Sequence, residues 1–363
     1  MKISSNTRIN SGKATGIKNY IQFLYESLQK QFSDNEFIFF QIDEEKILGK
    51  TFSFKWMRYV PMTNFRNILF DQFFILFLII KQKPDVFHAP AHILPFIRIA
   101  DVKYVVTVHD LAFLIYPKQY VFLFNLYYKY AIKRSLRLAD RIIVVSENTK
   151  NDIIKFYNIE ECKIEVIYSG INESFFENVK TKPLISEKYI FALTTHPKRK
   201  NIVSVLEALA HSNKLVEYKF IIAGLIENDQ LRELKNKVYE YGLEKRVIIY
   251  GYVSDMELQN LYKNASFFIY PSFYEGFGFP VIEAMASRCP VITSNNSSLI
   301  EVTPQKKWLV DAFNIDDIRE KMEDMASLNL NERFFLIQQN YEFASQFVWA
   351  NAAKKTWDVF NIL

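Results

Sequence analysis

Short apolar runs alternate with helix-period segments twice along this chain, and that alternation limits the fold more than any other feature. In the first half, Ile17, Tyr20, Ile21, Leu24 and Leu28 recur at helical spacing, and strands are expected at 36–40, 86–88, 104–108, 141–145 and 163–167. The second half repeats the plan, with strands at 189–194, 218–223, 246–250, 266–270 and 290–293 and helices between them. Strands joined through helices form parallel sheets covered on both faces, an α/β architecture. Such sheets bind ligands beyond the carboxyl ends of their strands. A chain of 363 residues is too long for one ordinary core. Two domains are expected, 1–180 and 184–345, joined near Thr181-Lys182-Pro183.

The segment from Ala265 to Met285 concentrates the chemistry. Ala265-Ser266-Phe267-Phe268-Ile269-Tyr270 reads as a buried parallel strand. Glu275-Gly276-Phe277-Gly278-Phe279 reads as a glycine-rich turn, and Pro280, with its fixed φ and missing N–H, suits the first position of a helix. Gly276 and Gly278 let the backbone approach a ligand closely, while the free amides of the helix favour an anion such as a diphosphate. Glu275 in the loop and Glu283 in the first helical turn can face one cleft, where carboxylates accept hydrogen bonds from the vicinal hydroxyls of ribose or a hexose. Lys198-Arg199-Lys200 lies between a strand and a helix opening near Asn201, on the same rim. Cations there would neutralise charge developing on a departing diphosphate. His109 follows the 104–108 strand and reads either as a satisfied core residue or as the N-cap neighbour of Asp110. His92 is a weaker candidate, and His88 is expected to order a loop. No Asp, Glu or His partners occur at ligand spacing, so no metal is expected.

Composition narrows the class. Half of the residues are hydrophobic and 23% are charged, which excludes a disordered chain. Residues 1–6 lack the apolar core of a signal peptide, and the longest apolar run, Phe73 to Ile80, is far shorter than a membrane span. Cys162 and Cys289 fall in different expected domains, a usage that suits a reducing cytoplasm. The net charge of +5 is concentrated in residues 1–180, with 24 Lys and Arg against 18 Asp and Glu. Much of it sits among aromatics between Tyr120 and Arg137, including Lys129, Lys133 and Arg134. That stretch fits a helix lying on an anionic membrane surface. It fits equally a helix with a solvated basic face and a buried aromatic one. Nucleic-acid binding is disfavoured, since the basic excess is small and no recognised module is present.

These motifs together resemble family 4 retaining glycosyltransferases of the GT-B fold. The spacing from Glu275 to Glu283 matches the E-x7-E signature, and Thr15-Gly16-Ile17-Lys18-Asn19-Tyr20 is similar to the N-terminal TGIGRY segment. Asp85-Val86-Phe87-His88-Ala89-Pro90, Thr107-Val108-His109-Asp110-Leu111, 139–146, Pro197-Lys198-Arg199-Lys200-Asn201 and Ser297-Ser298-Leu299-Ile300-Glu301-Val302 follow in the family's order. Lys18 stands where the family usually has a glycine, Arg288 where it has a small residue, and Pro304-Gln305-Lys306-Lys307 replaces a Gly-Asp-rich loop. The motif variants are closest to the bacterial mannosyltransferase branch.

The resemblance implies two Rossmann-like domains facing across a cleft, with residues 346–363 forming a helix that crosses back to the first. It implies donor contacts at Gly16, Arg199, Lys200, Gly276, Phe277, Gly278, Phe279 and Glu283, with Glu283 on the ribose. It places His109 and Glu275 at the transferred sugar and Asp110 on the acceptor side, with no metal or cofactor. The expected activity is transfer of a hexose from GDP-mannose or a UDP-hexose to a glycan or lipid-linked glycan, in lipopolysaccharide or capsule synthesis at the inner membrane face. A double displacement through Glu275 and a front-face attack both remain open on the residues, the resemblance favouring the second. Another GT-B activity, such as a nucleotide-sugar epimerase, and a catalytically silent scaffold that binds glycan or a partner enzyme are the alternatives.

Overall fold

The computed structural model describes residues 1–8, 16–42, 50–54, 57, 63–117, 122–177, 182–194 and 196–363, apart from the side chains of residues 63, 64, 123 and 124. Thr15, Tyr120 and Thr181 therefore lie outside the described residues. The chain forms two compact units, Met1–Gly170 with Phe347–Leu363, and Ile171–Gln346.

The first unit is built on a seven-stranded sheet: β1 Lys2–Asn6, β2 Glu36–Gln41, β3 Lys50–Ser53, β4 Val86–Ala89, β5 Lys103–Val108, β6 Arg141–Val144 and β7 Ile164–Val166. The second holds six strands: β8 Tyr189–Leu193, β9 Lys219–Ala223, β10 Val247–Gly251, β11 Phe267–Tyr270, β12 Val291–Ser294 and β13 Leu309–Val310. The orders are β3-β2-β1-β4-β5-β6-β7 and β10-β9-β8-β11-β12-β13, with every pairing parallel. Strand order thus reverses between β1 and β4 and between β8 and β11. At such a switch point the two loops diverge and leave a crevice.

The central strands are apolar because helices cover both of their faces. All four residues of β11, Phe-Phe-Ile-Tyr, are buried, as are those of β12. Strand β1 carries the polar pair Ser4 and Ser5, both buried, and periodicity alone does not reveal it. Edge strands β3 and β13 are too short to show a pattern.

The boundary between the units falls at Gly170, earlier than the expected 180. The reason is packing. Gln259 Nε2 donates to Ser174 Oγ at 2.8 Å, and the Phe175 ring lies 6.1 Å from that of Tyr262, so the residues just past β7 belong to the second unit.

Helix Trp349–Asn361 packs in the first unit. Trp357 stacks on Phe32 at 4.4 Å with planes inclined 12°, and Phe360 meets His88 edge-on at 5.4 Å. Gly170 permits this return, because a Cβ there would lie 2.3 Å from the Trp349 backbone nitrogen.

Helix Phe122–Leu138 bears the aromatic and basic stretch. Its exposed face carries Phe122, Leu126 and Tyr130 as well as Lys133, Arg134 and Arg137, so these three large apolar side chains share the cationic face. Phe73, Phe77 and Ile80 form a second exposed stripe at helical spacing. Phe96 links the two helices: its N–H donates to Gln72 Oε1 at 2.8 Å, and its ring meets Tyr130 at 5.5 Å.

Replacing Trp357 with Ala removes the stack that holds the last helix and is expected to destabilise the first unit by about 3–5 kcal/mol. Urea denaturation followed by circular dichroism measures this, and an unshifted midpoint would contradict the packing.

Candidate active site

The loops leaving β8 and β11 meet at the second unit's switch point. Lys200 from the first forms a buried ion pair with Glu275 from the second. Ser272 Oγ donates to the same carboxylate oxygen, Glu275 Oε1, at 2.6 Å. The Lys200 ammonium also lies over the Tyr270 ring, 4.7 Å from its centroid.

The backbone of the Glu275 turn is pinned as well. Glu275 N donates to Ser297 Oγ at 3.0 Å, and Ser298 Oγ donates to Glu275 O at 2.9 Å. Arg199 sits beside the pair, its carbonyl accepting from Phe273 N at 3.1 Å. Burial pushes the Glu275 carboxyl upward, but the charges of Lys200 and Arg199 and the hydrogen bonds outweigh it and hold the group below the usual carboxylate range. Lys198 points elsewhere, pairing on the surface with Glu233 at 2.9 Å.

Gly278 caps helix Phe279–Ala286 in the left-handed region at φ 107°, and a Cβ there would press on Leu299 Cδ2 at 3.0 Å. Phe279 is the first helical residue, so Pro280 is the second, and its lost N–H is still one the helix could not use. Phe277 is buried edge-on to Phe279 at 4.9 Å and shapes the turn. Gly276 is half-buried in the turn itself.

Glu283 lies beyond the first turn, contrary to the expected placement. It is half-buried, with Tyr262 OH donating to Oε2 at a long 3.4 Å. Burial, then the nearby Asp255 carboxylate, pushes its carboxyl up to about 7, with the Tyr262 hydrogen bond opposing.

In the first unit, His109 follows β5 and is almost fully buried. Its Nε2 donates to Pro90 O at 2.8 Å, which leaves Nδ1 as the lone-pair nitrogen. Burial, with His92 adding to it, lowers its pKa to about 3, so the ring is neutral. Tyr20 and His92 meet it edge-on at 4.7 and 5.4 Å. Asp110 Oδ1 accepts from Ala112 N at 2.9 Å and so shapes the following turn. Gly16 opens helix Gly16–Gln31.

His88 does not order a loop. It lies within β4, fully buried, with Tyr25 OH at 2.7 Å from Nδ1 and Thr107 Oγ1 at 2.8 Å from Nε2. Arg288, at the position usually held by a small residue, takes a left-handed φ of 61° and covers the Tyr341 ring at 4.0 Å. Among the described residues, no three His, Cys, Asp or Glu side chains are grouped to hold a metal.

Sequence reasoning missed Ser272, Tyr262 and Asp255. Ser272 stands three residues before Glu275 and could have been suspected from that spacing. Asp255 and Tyr262 carry no local signal, since only folding brings their helix to Glu283.

Two family models match in tandem: residues 15–175 fit Glycosyltransferase Family 4, and residues 175–342 fit Glycosyl transferases group 1. The O-antigen chain mannosyltransferase B of Escherichia coli is 30% identical over 77% of this chain and 75% of its own length. The chain belongs to glycosyltransferase family 4. The O-antigen chain mannosyltransferase RfbU of Salmonella typhimurium is 32% identical over 62% of this chain, and the match spans less than two thirds of RfbU, 64%. HepE of Anabaena, crystallised with UDP and glucose, superposes with a TM-score of 0.76 over 100% of both chains at 16% identity, which establishes the GT-B fold.

Because the native state holds the Glu283 proton more tightly than the unfolded chain, stability contributed by this group falls as pH rises from about 4.5 through about 7. The Glu283→Gln variant should therefore gain Tm over the parent protein as pH increases from about 5 to about 8. Thermal melts across that range test this, and a difference that does not vary with pH would refute the assignment.

Proposed function

We propose that this protein transfers a hexose, mannose in the first instance, from GDP-mannose or a UDP-hexose to a glycan acceptor in cell-surface polysaccharide synthesis, with retention of configuration and without a metal. The observation that carries the reading is the Lys200–Glu275–Ser272 network at the β8/β11 switch point, beside the Gly278 turn. Mannose is supported by the relatives RfbU and mannosyltransferase B, which are named for it. A nucleoside diphosphate donor is in keeping with HepE, whose crystals hold UDP.

Glu275 is ionised and its Oε1 is occupied by Lys200 and Ser272, so it accepts hydrogen bonds from sugar hydroxyls rather than attacking carbon. An ion-paired carboxylate is a stabilised one and a poor nucleophile. The acceptor oxygen therefore bonds to the anomeric carbon on the face that the diphosphate leaves. The bond from that carbon to the β-phosphate oxygen breaks, and the acceptor proton passes to the departing phosphate. Arg199 and Lys200 offset the charge that develops there. The backbone of the Gly278 turn and the positive helix end support the same anion. His109, neutral with its lone pair on Nδ1, accepts from a sugar hydroxyl and does not donate to phosphate. Glu283 binds the ribose hydroxyls, and Asp110 serves the acceptor side.

The exposed aromatic and basic faces of helices 63–82 and 122–138 support peripheral contact with an anionic membrane, which would present a lipid-linked acceptor. No described helix is long and apolar enough to cross one.

Loss of a charged hydrogen-bond partner costs about 1.5–3 kcal/mol, so Glu283→Ala should weaken nucleoside diphosphate binding by roughly 10- to 150-fold. Calorimetry in EDTA tests both claims at once. Unchanged affinity in a folded variant removes the ribose role, and binding by the parent protein that appears only on adding a divalent metal removes metal independence.

Each cation near an anionic surface contributes about 1 kcal/mol, screened by salt. Changing Lys133 and Arg137 to Glu should release the protein from phosphatidylglycerol vesicles with nucleotide affinity intact, while Arg134 keeps its bond to Phe96 O. Co-sedimentation at low and high salt measures this. A parent protein that ignores the vesicles leaves only a solvated helix face.

A further inference from the structure

Loops leave the carboxyl ends of β8, β11, β12 and β13, which are neighbours in the sheet. The last of these carries Phe313, 77% exposed. Its ring rests on Phe273 of the β11 loop, with centroids 4.8 Å apart and planes inclined 30°. The pair is held in place. Phe273 N donates to Arg199 O at 3.1 Å, Asn201 Nδ2 donates to Ala312 O at 2.6 Å, and Phe313 N donates to Asp311 Oδ1 at 2.9 Å. Two of these three bonds tie the aromatic loops to residues immediately flanking Lys200, and Phe273 immediately follows Ser272, which holds Glu275.

A phenyl ring kept in water forgoes about 1.5–3 kcal/mol of burial. Phe313 leaves its outer face uncovered while its loop is anchored to the site, so an aromatic face stands open on the same rim. The chemistry of the site selects one. The face of an aromatic ring is electron-rich, and the axial C–H groups on one side of a pyranose carry the complementary partial positive charge. Exposed Asp311 stands two residues from Phe313 and offers an acceptor for hydroxyl groups at the ring's edge. A flat apolar surface with a few polar groups at its border is how a sugar site is built.

We infer that Phe273 and Phe313 form a stacking platform for a pyranose ring of the acceptor glycan. This rests on the transferase reading, since it assumes that a glycan approaches Glu275. The donor's diphosphate and ribose are assigned to the β8 and β11 loops and to Glu283, and Phe313 stands at the edge of the sheet beyond them. The platform therefore acts on acceptor affinity and not on nucleotide affinity.

The test uses the full chain and saturation-transfer NMR with mannose-, glucose- and galactose-terminated oligosaccharides, alongside calorimetry with GDP and UDP. The parent protein should bind at least one oligosaccharide. Phe313→Ala should weaken that binding about ten-fold, the effect of losing one aromatic contact, while nucleotide affinity stays constant. Phe313→Trp should restore it. Equal oligosaccharide binding by parent and Ala variant, no oligosaccharide binding by a parent that binds nucleotide, or a parallel loss of nucleotide affinity in the Ala variant would each overturn the platform. A parent that binds oligosaccharide through Phe313 but neither nucleotide would support the platform and overturn the transferase reading.

Discussion

The buried contact between Lys200 and Glu275 is the constraint on which the second unit's rim depends. Two opposite charges leave water together at the point where strand order reverses, and either one alone would be strongly destabilising there. Their pairing requires the β8 and β11 loops to converge, and the surrounding hydrogen bonds extend that convergence across the sheet. Ser272 Oγ holds Glu275, Phe273 N holds the carbonyl of Arg199, and Ser294 Oγ reaches Ser272 O at 2.7 Å from the end of β12. Asn201 then carries the connection to the loop after β13 through Ala312. Every loop on this side of the sheet from β8 to β13 is thereby positioned by reference to one ion pair. This is how a site made of loops acquires the rigidity that electrostatic catalysis requires.

The two glutamates of the signature occupy opposite electrostatic environments. Glu275 faces Lys200 and Arg199 and is held ionised, whereas Glu283 faces Asp255 and the weak hydrogen bond of Tyr262 and is pushed up to about 7. Their separate environments give them separate tasks. An anion clamped by a cation is a fixed acceptor for a hydroxyl and needs no proton exchange. A carboxyl poised near neutrality accepts hydroxyls best once ionised, so under the proposed function nucleotide binding would favour release of its proton. Under the proposed function, charge entering the site as diphosphate would meet Arg199 and Lys200, while the ribose would meet a group whose charge depends on occupancy.

Much of this was legible in the sequence, for a definite reason. Residues buried on both faces of a parallel sheet must be continuously apolar, so β8, β9 and β11 announce themselves, and a glycine followed by Phe-Pro marks the turn into a helix. Strand β1 did not announce itself, because Lys2-Ile3-Ser4-Ser5-Asn6 places small hydroxyl side chains where closely packed layers leave little room. Glu283 falls one residue beyond the first turn because Phe279, not Pro280, is the first helical residue. His88 was misread because its polarity suggests a loop, whereas Tyr25 and Thr107 satisfy both ring nitrogens inside the core. Local pattern reports which face of an element is buried. It does not report the partner that another element brings, and Asp255, Tyr262 and Phe313 are all partners of that kind.

The histidines of the first unit show how such partners decide chemistry. His88 and His109 follow or lie within adjacent strands, and burial lowers the pKa of each to about 3. Neither serves as a proton donor near neutrality, yet their roles differ. His88 has both nitrogens engaged and can only brace the strands, with Thr107 passing the contact on to Tyr20 OH at 3.3 Å. Tyr20 in turn sets the edge-on contact that orients His109. His109 spends one nitrogen on Pro90 O, and the described residues give the other no partner. A buried polar network is stable when every member is satisfied. Under the proposed function the Nδ1 lone pair, on a ring whose tautomer and orientation are fixed from behind, is the atom that accepts a sugar hydroxyl.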